Sequence, residues 1–219
     1  MKTLNTTLPV GSNDQLRRQR GISLMEMGIA ATVLAALILG ALLGLQSLQF
    51  ERRLSDARKE IPLTITAAVN AIATQADTAT LTTAARATLT LSAFNVWPSH
   101  RVSNPGLPTV VVNGHFPGST EQMIANTGES NRLRPGGGFA YWIRNVPPEA
   151  CMPLLQLLVV QGATSQVFVT PAATATVGAV GGTGLITYAN GGKTMNTLLA
   201  AGACAGNTRK NLVAMIARQ

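Results

Sequence analysis

The chain has 219 residues and a formal net charge of +8 at pH 7, yet only 12% of its residues are charged and 4% are aromatic. After Arg58-Lys59 no basic run with interleaved aromatic residues occurs, which argues against nucleic-acid binding as the main function. The abundance of Ala, Thr and Gly is more typical of an exported structural protein than of a cytosolic enzyme.

A basic N-terminal stretch precedes a long apolar segment. Arg17, Arg18 and Arg20 end the basic stretch, and no charged residue occurs from Met27 to Phe50. As an α-helix this segment rises about 36 Å, enough to cross a hydrocarbon core of about 30 Å. No small-residue cleavage pattern follows it. We therefore expect the segment to be retained as a membrane helix.

Glu26 is the one charged residue between Arg20 and Glu51. A carboxylate that reaches the centre of a bilayer costs about 3 kcal/mol, and such residues are usually functional. Among bundled apolar helices a buried carboxylate also needs a partner. Glu26 is therefore a candidate site residue.

These residues together resemble the N-terminus of a type IV prepilin. In that family a peptidase cuts on the cytoplasmic side after the Gly that ends a basic leader, and the fifth residue of the mature chain is Glu. Here Gly21 supplies the cleavage site, Ile22 becomes the new N-terminus, and Glu26 is the fifth mature residue. The resemblance implies that Glu26 pairs with the amine of Ile22, often methylated, on a neighbouring subunit and sets axial register.

The resemblance also implies the partners and the location. The chain is expected to form a homo-oligomeric helical filament with no cofactor. A prepilin peptidase, an assembly ATPase, an inner-membrane platform protein and a secretin are the implied partners. The positive-inside rule gives no clear orientation, because basic residues flank the apolar segment on both sides. The resemblance places the leader in the cytoplasm and the rest in the periplasm of a Gram-negative bacterium, and later in an extracellular pilus.

A single helix is predicted from about Ser23 to Thr74. Leu54, Ile61, Ile65, Ala68 and Ile72 recur at helical spacing and predict a buried stripe in its second half. The stripe stays in phase across Pro62, which predicts a kink there and not a stop. In the apolar half, Gly40 and Gly44 form a G-x-x-x-G pattern that lets helices approach closely, and both weaken the helix locally.

The remainder predicts an antiparallel sheet, so the fold class is α+β, with a long N-terminal helix packed on a globular sheet domain. Strands are predicted over 109–112, 138–146, 166–170 and 185–188, and a helix over 154–160. Residues 77–93 fit a short helix or extended chain, and 210–217 fit a last strand or a short helix. Residues 172–184 predict a loop. The expected organisation is a leader over 1–21, a helix over 22–76 with its membrane or filament-core half over about 22–50, and a globular domain over 77–219.

Two cysteines, Cys151 and Cys204, are most simply a disulfide in an oxidising compartment. Closing a loop of this length stabilises a fold by about 4 kcal/mol in the loop-entropy account. The sequence before Cys151 resembles type IVb pilins, most closely those of conjugative thin pili, in which the region between the cysteines forms the variable outer surface of the filament. Adhesion or conjugative contact is the implied role.

No catalytic or metal-binding pattern emerges. His100 and His115 are predicted to be surface-loop residues without ligand-like spacing. Gly191-Gly192-Lys193-Thr194 lacks the first Gly of a phosphate-binding loop and predicts a hairpin turn. We therefore expect no enzyme activity and no metal site.

Two other classes of protein remain open. A minor pilin or a type II secretion pseudopilin shares the leader and the helix, although major pseudopilins usually bind calcium and lack the disulfide. A membrane-anchored adhesin that never polymerises would keep its leader uncleaved.

Overall fold

The computed structural model describes residues 24–74, 83–125, 138–161, 164–172, 185–189 and 192–217. Its helices, in chain order, are α1 (Leu24–Thr74), α2 (Ala84–Ala93), α3 (Pro148–Val160) and α4 (Thr197–Cys204), with a short 3-10 helix at Ser99–Arg101. Its strands are β1 (Val102–Ser103), β2 (Val111–Asn113), β3 (Thr120–Ala125), β4 (Gly138–Val146), β5 (Thr164–Pro171), β6 (Ile186–Ala189), β7 (Gly192–Met195) and β8 (Lys210–Ala217).

The predicted long helix is confirmed as α1, a single helix that passes through Pro62 without stopping. The Thr66 hydroxyl donates to the Pro62 carbonyl at 2.9 Å. Every member of the predicted apolar stripe is buried, and Ala57, Thr64 and Ala71 extend the stripe. The chain divides into two compact units after Ser47, so the second half of α1 belongs to the same unit as the sheet.

A six-stranded antiparallel sheet of order β1-β2-β3-β4-β8-β5 confirms the predicted fold class. Strand β4 coincides with the predicted range 138–146 and pairs with β3 on one side and β8 on the other. The C-terminal segment, for which helix and strand were both open, is the interior strand β8, between β4 and β5. Its run from Leu212 to Ile216 is buried throughout, because an interior strand covered on both faces has no polar side.

Other predicted elements are present with shifted ends. The helix over 154–160 begins earlier, at Pro148, because proline suits the first turn, where no amide hydrogen bond is needed. Helix α2 decides part of the ambiguous 77–93 segment, and the Thr83 side chain caps it by accepting from the Arg86 amide at 3.4 Å. Residues 75–82 and 173–184 lie outside the described residues.

Three strands and one α-helix have no predicted counterpart: β1, β3, β7 and α4. A separate hairpin of β6 and β7 pairs Ala189 with Gly192. Lys193 and Thr194, which were assigned to the turn, therefore lie in strand β7. The main hydrophobic core contains the α1 stripe and side chains from one face of the sheet. A smaller buried cluster occupies alternate positions of the same strands: Ala140, Trp142, Phe168, Val213 and Met215.

Candidate assembly surface and a buried polar network

The first half of α1 is an apolar helix without cover. All residues from Leu24 to Gln49 are exposed, with Leu24 at 91% and Leu43 at 67%. In the part of the chain that the structure describes, α1 is the one helix long and apolar enough to cross a membrane, with a mean hydropathy of 2.4 over its most apolar window. An apolar surface of this size is stable only against lipid or other apolar helices.

Glu26 lies in the first turn of α1, where a carboxylate is favoured by the positive end of the helix dipole. Glu26 is exposed, as are the apolar residues around it. Gly21 and Ile22 lie outside the described residues, so cleavage between them stays a prediction.

Gly40 and Gly44 lie one helical turn apart in the exposed half. A Cβ atom built on either glycine meets no atom within 4 Å. Packing within the chain therefore does not require glycine at either position. The two positions leave a backbone surface that a second helix can approach closely.

The predicted disulfide is present. Cys151 of α3 is bonded to Cys204 of α4, with Cα atoms 5.7 Å apart, and both residues are buried. Lys193 anchors the hairpin inside this region, because its ammonium donates to the carbonyl oxygens of Gln161 and, at 2.8 Å, Thr164. Burial lowers the pKa of Lys193. Lys193 was predicted to lie in a turn, and no local pattern indicates this contact, because its two acceptors lie 32 and 29 residues away in sequence.

A polar network that the sequence did not predict lies in the interior of the second unit, centred on Arg101. Its guanidinium donates to the Glu60 carboxylate of α1 at 3.0 Å and to the Asn113 carbonyl at 2.9 Å. It also bonds the Glu121 carboxylate of β3 and contacts His115 Nε2 at 3.0 Å. Arg101 thereby connects α1, the 3-10 helix and the sheet through one side chain that is 6% exposed.

Glu121 is the buried acceptor of the network, with a fully buried side chain. Besides Arg101, it accepts from the Tyr141 hydroxyl at 2.6 Å and from the Trp97 indole at 3.2 Å. Burial raises the pKa of Glu121, and the charge of Arg101 and these hydrogen bonds act against that rise. Burial likewise raises the pKa of Tyr141, so its hydroxyl stays a donor. No local sequence pattern marks Glu121 as part of a network, since its partners are distant in sequence.

His115 corrects a prediction. It was expected to be a surface-loop residue, but its side chain is only 7% exposed and contacts Arg101. Burial and the nearby positive charge of Arg101 lower its pKa to about 3. His100, by contrast, is exposed as predicted. No local pattern distinguishes His115, because its burial comes from residues on other elements.

An open cavity of about 400 Å³ adjoins the network. Arg53 of α1 lines one side, and residues 113–120, which include His115, line the rest. Nearby, the rings of Phe50 and Phe116 pack with centroids 5.7 Å apart. Among the described residues, no group of three or more His, Cys, Asp or Glu side chains is arranged to hold a metal ion.

The chain is similar to the crystal structure of a type IV b pilin from Salmonella typhi, with 16% sequence identity and a TM-score of 0.49. The alignment covers 73% of this chain and 97% of the pilin chain. No family model and no curated protein sequence matches.

Proposed function

We propose that this chain is the structural subunit of a type IV pilus, of the type IVb class. A prepilin peptidase cleaves it after Gly21, and the mature subunit polymerises through α1 into an extracellular filament used for adhesion or conjugative contact. The observation that carries the proposal is the uncovered apolar half of α1 with Glu26 in its first turn.

The exposed half of α1 has two successive environments in this proposal. Before assembly it spans the inner membrane, where lipid covers its apolar surface on all sides. After assembly the same half of neighbouring subunits replaces the lipid, so the apolar surface stays buried. An assembly ATPase and a platform protein drive this transfer, and a secretin lets the filament leave the cell.

In this proposal Glu26 sets the axial register between neighbouring subunits. A carboxylate inside a bundle of apolar helices is costly unless a cation pairs with it. The amine of Ile22 on a neighbouring subunit is that cation, and only one axial offset brings the two groups together. Gly40 and Gly44 allow the close helix packing that the bundle requires.

Substitution of Glu26 by Ala tests the proposal. Because the peptidase acts at Gly21 and not at Glu26, we expect normal cleavage of Glu26→Ala, with a chain that starts at Ile22 by intact-mass spectrometry and N-terminal sequencing. The amount of the variant in filaments sheared from cells should fall at least tenfold, because the neighbouring amine has lost its partner.

Glu51→Ala is the matched control. Glu51 is also an exposed glutamate of α1, but it lies beyond the apolar segment. It should be processed and incorporated like the original chain. Normal incorporation of Glu26→Ala would contradict the register role. A surface chain that still starts at Met1 and forms no filaments would contradict the pilin function itself and support a membrane-anchored adhesin.

A further inference from the structure

His115 has an unusual position for a titratable side chain, since it faces both a cation and two carboxylates. Its Nε2 atom lies 3.0 Å from an Arg101 nitrogen, 3.7 Å from Glu121 Oε1 and 3.9 Å from Glu60 Oε2. A guanidinium can only donate, so Nε2 accepts this hydrogen bond and the ring is neutral, with its proton on Nδ1. A proton added at Nε2 would therefore oppose the Arg101 donor directly.

The carboxylates of Glu60 and Glu121 can accept a hydrogen bond from a protonated Nε2. Both lie within 4 Å of Nε2, and both are now held by Arg101. A protonated imidazole can donate to either carboxylate, but only if Arg101 gives way. Tyr141 and Trp97 also hold Glu121, and the charge of His100 also disfavours protonation of His115. His115 also lines the open cavity beside Arg53, so solvent can deliver the proton.

We propose that His115 is a proton-binding switch: protonation at Nε2 exchanges its bond from Arg101 for a bond to Glu60 or Glu121 and detaches residues 99–119 from α1. The step breaks no covalent bond of the chain, and the proton comes from solvent. Glu60 is the contact most easily given up, since it is 28% exposed whereas Glu121 is fully buried. The switch acts within a single subunit, so it does not depend on filament assembly.

The direction of the pH effect follows from proton linkage. His115 has a pKa of about 3 in the closed arrangement and the ordinary value of 6.5 when the segment opens. The closed arrangement therefore keeps its full stability above pH 6.5 and loses it as the pH falls from 6.5 towards 3. Glu121 acts in the opposite sense, because burial raises its pKa in the closed arrangement. Its protonation stabilises the closed arrangement at low pH, and this contribution is lost as the pH rises through the raised pKa of Glu121.

The variant His115→Gln separates the contribution of His115 to the pH effect from that of Glu121. The amide oxygen of Gln can accept from Arg101 as Nε2 does, but it does not titrate. The experiment measures amide hydrogen exchange of the full chain in detergent micelles at pH 7 and pH 5, corrected for the intrinsic exchange rate. The readout is the exchange rate of residues 99–119 in the original chain divided by that in His115→Gln. The buried strand β8 serves as internal reference.

We expect this ratio to rise on the order of tenfold from pH 7 to pH 5, with no change in β8. His100→Gln is the matched control, since the chain has only two histidines and His100 is the exposed one. The exchange rate of residues 99–119 in the original chain divided by that in His100→Gln should be the same at pH 7 and pH 5. A ratio for His115→Gln that does not change with pH would overturn the proposal. So would an equal rise in β8, because that would mean global unfolding.

Discussion

The two halves of α1 are continuous in the helix and opposite in their surroundings. From Leu24 to Gln49 no residue is buried, whereas eight residues between Leu54 and Ile72 are. The first half is apolar on all sides, and each large side chain that becomes covered contributes about 2 kcal/mol. The second half is apolar on one stripe only, which the sheet already covers. The second half is therefore part of the folded unit, whereas the first half leaves an apolar surface that nothing in the described chain covers.

Charge follows the same division. The first half carries only Glu26 as a charged residue, whereas Glu60 in the second half is held by Arg101 within the chain. A buried ion pair is costly to break by removing one partner, because the other charge stays behind without compensation. Substitutions in and around the two halves should therefore differ in their effect on the stability of the subunit.

Arg101→Met should give the largest loss. It leaves the buried Glu121 carboxylate without its cation and frees Glu60, so we expect the free energy of unfolding to fall by about 3–5 kcal/mol. Urea denaturation of the chain in micelles, followed by tryptophan fluorescence, measures this change. Arg58→Met is the control, because Arg58 is an exposed residue of α1, and it should change stability by less than about 0.5 kcal/mol. Equal effects of the two variants would show that the network is not central to the fold.

Ile61→Ala and Ile38→Ala compare the two halves directly with the same substitution. Ile61 is fully buried, and we expect a loss of about 2–5 kcal/mol from lost burial and the cavity that remains. Ile38 is 51% exposed, and its loss in the isolated subunit should stay below about 0.5 kcal/mol. The same denaturation experiment measures both. A large loss for Ile38→Ala would mean that the first half also packs within the subunit.

Gly40→Ala and Gly44→Ala should give the smallest effect, of opposite sign. Because a Cβ atom at either position meets nothing, each change should raise helix stability by up to about 1 kcal/mol. Circular dichroism during thermal unfolding in micelles measures the gain. In filaments the same methyl groups should hinder close approach of helices and lower incorporation. If both variants are incorporated into filaments as well as the original chain, neither glycine is needed for helix packing in the filament.

The sequence by itself determined the features that depend on local pattern. The apolar segment, Glu26 and the stripe from Leu54 to Ile72 define α1 and its two halves without any tertiary information. The aromatic and β-branched run at 138–146 likewise predicts β4. The cysteine pair predicts the disulfide, since two thiols in an oxidising compartment have few alternatives.

Only the tertiary structure decided which distant residues meet. Arg101 lies 41 residues after Glu60 and 20 before Glu121, and no local pattern relates residues so far apart. The same holds for His115, which looked like an exposed loop residue until β3 and α1 enclosed it. Strand β8 was ambiguous for a related reason, because an interior strand buried on both faces loses the alternation that marks a strand. Local periodicity reports which side of an element is apolar, whereas partners and burial depend on where the other elements lie.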